Sequence, residues 1–443
     1  MRFLKSFYIH NKLFWYLAFL VACFVLSFWL PVIYPIAWIL TYLLVALFVL
    51  DLYLLYTTPN AIEGSRNLPK KLSNSDQNVL EIQLKSRYPF KVSLSIIDEL
   101  PIQFQKRDFE YRTTLSRGDA FLYNYSVRPV ERGEYVFGNL NLYASSPLQI
   151  ARRRFVFQKD QMVPVYPSII QMQQYDFLAM SNKLTQFGLK KIRRIGHTQE
   201  FEQIKEYIKG DDVRTLNWKA TAKKNHLMVN QYQDERSQPI YSIIDTGRVM
   251  KMPFNGLSLL DYAINSTLAF SNVALKRNDK TGMVTFSKNI ETFVPAVQKI
   301  SHLNVILEKL YNITTEFSDS DFGLLYAHIK RKINQRSLLL LYSNFEHISA
   351  LKRQLPYLSA IAKKHVLVVI FFENTELESL ITNPAEDLQA IYHKTIAEKF
   401  NLEKKLMQRE LQQHGIQTIL TKPEDLTINT INKYLEIKAR GII

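Results

Sequence analysis

Between Leu13 and Leu50 the sequence carries no charged residue, and an apolar run of that length exceeds the roughly 20 residues that one helix needs to cross a bilayer. The run therefore has to be divided. Pro31-Val32-Ile33-Tyr34-Pro35 supplies the break, since two prolines so close end one helix and start the next. The pattern predicts a two-helix transmembrane hairpin with spans over Leu13–Leu30 and Ile36–Tyr56, and with Asp51 near the second interface. Arg2, Lys5 and Lys12 precede the first span while Arg66, Lys70 and Lys71 follow the second, so both ends are expected to face the cytoplasm. A cleavable signal peptide is the competing reading. No small-residue cleavage site follows the first run, however, and a second span comes at once. Trp15, Tyr16, Trp29, Tyr34 and Tyr56 fall at the expected interfaces, either as belt aromatics or as packing residues between the two helices.

With 443 residues the chain has room for two or three further domains with real cores. The formal charge of +16 comes partly from two runs, Arg152-Arg153-Arg154 and Lys190-Lys191 with Arg193-Arg194. Such runs attract nucleic acid or acidic lipid, or simply form a solvated basic face. The single cysteine, Cys23, lies inside the apolar run. That excludes a disulfide framework, a cysteine zinc site and a thiol nucleophile outside the membrane region.

After Asn60 the pattern changes. Val79–Lys85 and Val92–Ile96 alternate apolar with polar, and Phe121–Val127, Glu134–Phe137, Leu140–Tyr143 and Arg154–Val156 add short strands between turn residues. Residues 58–167 are expected to form a small sandwich of immunoglobulin-like type. From Pro239 onward, continuous apolar strands alternate with helical stretches, which demands a parallel sheet covered on both faces. Residues 239–443 are therefore expected to form a doubly wound α/β domain that binds ligands beyond the carboxyl ends of its strands.

The segment between, 168–238, holds the densest mixture of charge, aromatic and glycine. Gly210 permits a tight turn, and Asp211 or Asp212 can cap a helix over Val213–Lys223. Glu200-Phe201, then Lys205-x-Tyr207-x-x-Gly210-Asp211-Asp212-x-Arg214-x-Leu216-Asn217-Trp218-Lys219, then Leu227-x-Val229-x-x-Tyr232, stand in a fixed order. This order resembles the pattern of the bacterial domain-of-unknown-function 58 family, with Lys205, Leu216 and Lys223 as mild departures. Pro129–Gly138 and Ser146-Pro147-Leu148 resemble the same family. The resemblance implies a von Willebrand factor A-like C-terminal domain and a partner, a MoxR-type ATPase of the AAA+ class. Other von Willebrand factor A-domain proteins are further implied partners.

In such domains, the resemblance implies, the first strand ends in Asp-x-Ser-x-Ser and a later one in aspartate, the oxygen ligands that Mg²⁺ requires. Here the corresponding positions are Asp245, Gly247, Val249 and Asn344, so the hydroxyls and one carboxylate are replaced. Ser318–Asp321 keeps oxygens but is expected to start a helix. Arg248 stands among the presumed ligands, and Asp245 could pair with it or with the segment 168–238, so no metal and no cofactor are expected.

Glu200, Asp211, Asp212, Arg214 and Lys219 could form an acid, base and anion-binding constellation. No phosphate-binding glycine loop, His-Glu-x-x-His pair or Gly-x-Ser-x-Gly elbow accompanies them. We therefore expect these residues, with Phe201, Tyr207, Gly210, Asn217 and Trp218, to form a recognition edge held by ion pairs and caps, with Trp218 as a packing anchor. The expected function is that of a membrane-anchored scaffold at the bacterial cytoplasmic membrane, touching lipid and an ATPase but no nucleic acid. An enzyme acting on envelope precursors and a binder of anionic lipid or nucleic acid are the alternatives.

Overall fold

A computed structural model describes residues 5–180, 200–208, 211, 213, 216–233, 238–375, 377, 381 and 387–442. Backbone contacts group the chain into two units, Met1–Tyr166 and Pro167–Ile443.

The first unit begins with β1 (Phe7–Ile9), α1 (Asn11–Leu26) and α2 (Ile33–Thr57). At 25 residues, α2 reaches about 38 Å at 1.5 Å per residue, enough for a hydrocarbon core of about 30 Å. Among the described residues it is the one helix long and apolar enough to cross a membrane; α1 is equally apolar but shorter. Their outer faces are exposed, with Phe14, Trp15 and Phe19 on one helix and Tyr42 and Tyr53 on the other, and Phe28 and Trp29 are exposed in the turn between them. The break falls at Ser27–Val32, earlier than the two prolines suggest. Pro35 sits in the first turn of α2, where its missing N–H removes no helical hydrogen bond.

Strands β2 (Ile62–Asn67), β3 (Leu72–Ser73), β4 (Asn78–Ser86), β5 (Val92–Asp98), β6 (Glu110–Leu115), β7 (Ala120–Val127), β8 (Gly133–Phe137), β9 (Leu140–Ser145), β10 (Ala151–Phe157) and β11 (Gln161–Tyr166) follow. They form sheets of order β1-β10-β9-β5-β6, β2-β4-β7 and β3-β11-β8. Alternation in β4 and β5 buries Leu80, Ile82 and Leu84 and Val92, Leu94 and Ile96 in one core with Leu140, Leu142 and Ala144.

Three polar groups tie this core together. Arg66 and Asp98 are both fully buried and paired, with Tyr125 donating its hydroxyl to the same carboxylate. Arg66 Nη2 also donates to Gly138 O at 3.1 Å. Arg66 is thus a core residue and takes no part in the interfacial charge that the sequence suggested. Asp51 is buried against the sheet, its Oδ2 accepting the N–H groups of Ile150 at 2.9 Å and Ala151 at 2.7 Å.

The basic run is also largely consumed within the unit. Arg153 Nη1 donates to Leu55 O at 2.7 Å and Thr58 O at 3.0 Å, capping the carbonyl end of α2. Arg154 donates to Asn141 Oδ1 and to the Tyr8 hydroxyl.

The second unit opens with α3 (Ile169–Met180), whose Met172 and Tyr175 pack on the core of the large sheet. Then come β12 (Glu200–Glu206), α4 (Trp218–Lys224) and β13 (Met228–Gln233). The remaining elements are β14 (Pro239–Asp245), α5 (Leu259–Lys276), β15 (Lys280–Phe286), β16 (Ile290–Val297), α6 (His302–Tyr311), α7 (Phe322–Lys332), β17 (Leu338–Tyr342), α8 (Ile348–Ala362), β18 (Val366–Phe372), α9 (Leu388–Gln413), β19 (Gln417–Thr421) and α10 (Leu426–Ala439).

The six-stranded sheet runs β16-β15-β14-β17-β18-β19, parallel except for the antiparallel edge strand β16. The four inner strands β15, β14, β17 and β18 are buried on both faces because α5, α6 and α10 contribute to one core and α7, α8 and α9 to the other, while the edge strands β16 and β19 are only partly covered. Helix α5 starts where Ser258 and Asp261 form a reciprocal capping box. The chain leaves β14 for β15 on one side and later returns to β17 on the other, so the carboxyl end of β14 lies at the switch in strand order.

Candidate functional site

Asp245 is the last residue of β14 and has no exposed surface. Its Oδ1 accepts the N–H of Gly247 at 2.8 Å and the hydroxyl of Ser320, and its Oδ2 accepts the hydroxyl of Ser343 at 2.6 Å. Both oxygens are thereby spoken for by three separate segments. Gly247 is what permits this arrangement. A Cβ there would stand 2.2 Å from Ser320 Oγ and 3.0 Å from Ser318 O, so a serine at 247 would expel the hydroxyl that now reaches Asp245.

The arginine expected to meet Asp245 does not. Arg248 points outward, 3.7 Å from Asp319 and 3.6 Å from Glu346. Val249 packs at the margin of the core. Asn344 Oδ1 accepts from Lys404 Nζ at 2.6 Å. Asp321 caps α7 by accepting the N–H of Leu324, as expected of a helix start in Ser318–Asp321, while Ser320 turns inward. The side-chain groups bonded to Asp245 are therefore two hydroxyls, and a second carboxylate, Glu291, bonds the adjacent Thr246 and acts on Asp245 without touching it. Among the described residues no group of three or more His, Cys, Asp or Glu is gathered to hold a metal ion. The sequence did not single out Ser320 and Ser343 as hydroxyl partners. The signal was there, a serine directly after β17 and another just before the α7 cap.

Burial pushes the Asp245 carboxyl above the ordinary carboxylate range, against the pull of Ser320, Ser343 and the Gly247 N–H. An acid raised in the folded state contributes stability that is fully present below its unfolded value, about 4, and is lost as pH rises through the folded value. Asp245→Asn keeps an oxygen for Gly247 and cannot ionise. We expect the wild-type melting temperature to gain on that of the variant as pH is lowered from neutrality. Parallel curves of melting temperature against pH would show that Asp245 is charged throughout.

The second candidate element is a hairpin in which β12 and β13 pair antiparallel with a bulge between Phe201 and Gln203; Glu200 lies opposite Gln233 and Phe201 opposite Tyr232. Beyond β12, Tyr207 donates its N–H to Leu227 O at 2.8 Å. Asp211 closes the following turn on itself, accepting the N–H of Ile208 at 3.0 Å and Lys205 Nζ at 2.9 Å. Those two bonds hold its carboxyl below the usual range, the backbone N–H more than the lysine.

The helix is shorter than the expected Val213–Lys223 and is capped by a different residue. Asn217 accepts the N–H of Ala220 at 3.0 Å and donates through Nδ2 to Asn230 Oδ1 at 2.8 Å. Asp211 does not cap it. Trp218 is not a packing anchor, since 69 % of its surface is exposed; Ile208 at 67 % and Val213 at 62 % are exposed too. Lys219 is exposed as well. Gly210, Asp212, Arg214 and Lys190–Arg194 lie outside the described residues.

Against known proteins, the chain is 22 % identical over 298 residues to the uncharacterized protein YeaD of Bacillus subtilis (strain 168), covering 62 % of this chain and 68 % of that protein. Among solved structures it is similar to the conserved hypothetical protein BatB of Bacteroides thetaiotaomicron, with 15 % identity over 46 % of this chain and 99 % of that one and a TM-score of 0.31. An aerotolerance-related membrane protein of Bacteroides fragilis gives 14 %, 46 %, 99 % and 0.28. These structural likenesses are distant, and nothing in the geometry above leans on them. The model of the family described as "Protein of unknown function DUF58" matches residues 203–381, a stretch that runs from β12 through the switch-point strands to the residues after β18.

Proposed function

We propose that this chain is a membrane-anchored interaction protein of the bacterial cytoplasmic membrane. In this reading α1 and α2 both cross the bilayer and both termini are cytoplasmic. The β unit is an immunoglobulin-like spacer, and the α/β unit is a von Willebrand factor A-like module working with a MoxR-type AAA+ ATPase on an envelope client. In this reading no cofactor or metal takes part.

The observation that carries the reading is the hairpin of β12 and β13. Its turn is fixed by Asp211 and its short helix by Asn217, yet it leaves Ile208, Val213 and Trp218 in solvent. A tryptophan left outward at a capped helix start suits recognition better than catalysis, because aromatic anchors dominate protein interfaces and need little ordering on binding. The two-pass topology is supported by β1 and the carbonyl end of α2, which both join strand β10, so the helical hairpin begins and ends on one side. The anionic-ligand alternative is weakened because Arg153 and Arg154 are already engaged.

The test is retention of the MoxR-type ATPase by the tagged full chain from detergent-solubilised membranes. Trp218→Ala should cut retention by about tenfold or more, the size of an interface hot spot, with no change in melting temperature. Equal retention by wild type and variant, or none by either, would remove the proposal.

A further inference from the structure

A cavity of about 490 Å³ lies at the carboxyl rim of the sheet. It is walled by Phe254, Leu259, Phe372 and Phe400, with Asn344 and Lys404 as polar members. Glu346, His347, Glu373 and Lys405 also line it, Glu346 lying within 3.6 Å of Arg248. The volume falls within the few hundred cubic ångströms typical of small-molecule sites, which pair apolar walls with a few placed polar groups.

Lys404 is the unusual member. Its side chain is partly buried, and Nζ donates to two neutral oxygens, Asn344 Oδ1 at 2.6 Å and Phe345 O at 2.7 Å. Among the described residues no carboxylate comes within ion-pair range of it. Glu346 is held 3.6 Å from Arg248 and Glu403 3.5 Å from His347. Burial lowers the amine to about 8, which Glu346 and Glu403 oppose only from a distance. A cation enclosed without an anion is costly to keep charged. An ammonium carries three N–H donors and two are used here, so one remains for an anion brought by a ligand.

We propose that this cavity binds a small amphipathic carboxylic acid, its carboxylate on Lys404 Nζ and its hydrocarbon against Phe254, Phe372 and Phe400. A single remaining donor on a single ammonium matches a monoanion. The apolar walls supply the rest of the affinity through burial of the hydrocarbon. This site stands apart from the proposed recognition edge on β12 and β13, and its fate is independent of the ATPase reading.

The experiment compares 4-phenylbutyrate with 4-phenylbutanamide, equal in shape and different in charge, by isothermal titration into the full chain in detergent. The acid should bind saturably and about tenfold more tightly than the amide, equivalent to roughly 1.4 kcal/mol. Lys404→Met should bring the acid down to the level of the amide, and Lys404→Arg should restore part of the preference. Equal binding of acid and amide by the wild type, which requires no variant to fold, would overturn the proposal. So would undiminished acid binding by Lys404→Met in a variant of unchanged melting temperature, or no saturable acid binding at all. A short peptide with an apolar residue at its free carboxyl terminus is the remaining arm. If it bound more tightly than 4-phenylbutyrate by tenfold, the site would belong to a polypeptide end and the small-acid assignment would fall.

Discussion

Arg66→Ala should destabilise the β unit by about 3–5 kcal/mol, the cost of leaving one member of a fully buried ion pair alone. Arg66 and Asp98 have no exposed side-chain surface, so water cannot replace the lost guanidinium. The Gly138 carbonyl loses its donor as well. Burial already pushes the Asp98 carboxyl upward, and Arg66 and Tyr125 are what hold it down. Without Arg66 the acid should take up a proton on folding. An acid raised in this way is favoured at low pH, so the deficit of the variant should shrink on acidification and grow as pH rises. The double variant Arg66→Met with Asp98→Leu should recover much of the loss, because an apolar pair needs no compensating charge. Urea unfolding of the full chain in detergent reads all three effects. A loss below 1 kcal/mol for Arg66→Ala would mean that the pair is solvated in reality.

Asp51→Ala should be the next most damaging change. One carboxylate oxygen accepts two buried amides, those of Ile150 and Ala151. Hydrogen bonds to a charged acceptor contribute about 1.5–3 kcal/mol each, and a buried donor left unmade costs about as much. We expect hydrogen exchange at these two amides to accelerate by roughly two to three orders of magnitude, the equivalent of about 3–4 kcal/mol of local opening. Asp51→Asn keeps an acceptor and should lose less than half of that protection. If exchange at 150 and 151 is unmoved in the alanine variant, Asp51 does not hold α2 to the sheet.

The large parallel sheet was legible in the sequence because its strands are continuous apolar runs flanked by turn residues. Leu338-Leu339-Leu340-Leu341-Tyr342, the whole of β17, is such a run. The β unit was legible where alternation is clean, as in β4 and β5. Strand β1 was not, since three residues carry no periodicity and its partner lies far downstream at Ala151–Arg153. Arg66 misled because a lone charge reads as exposed unless its partner is known, and Asp98 is remote in sequence. At the candidate site the local pattern revealed which residues are present, and the fold decided what they touch. Asp245 met serines from two other loops instead of the adjacent arginine. The α4 cap fell to Asn217, the residue that directly precedes the helix, instead of the aspartates near the glycine turn.

The attachment of α2 through Asp51 also sets an order of events during synthesis. The amides that satisfy Asp51 lie 99 and 100 residues downstream, so at roughly 5–20 residues per second they follow it out of the ribosome by about 5–20 s. The apolar hairpin is therefore complete and available for insertion before the strand that receives it exists. Until β10 arrives, Phe7–Ile9 has no sheet to join, and afterwards it covers what would otherwise be an open sheet edge, the kind of edge that invites aggregation. A transplanted anchor lacking both Asp51 and that short strand would leave the nascent β unit with an uncovered border.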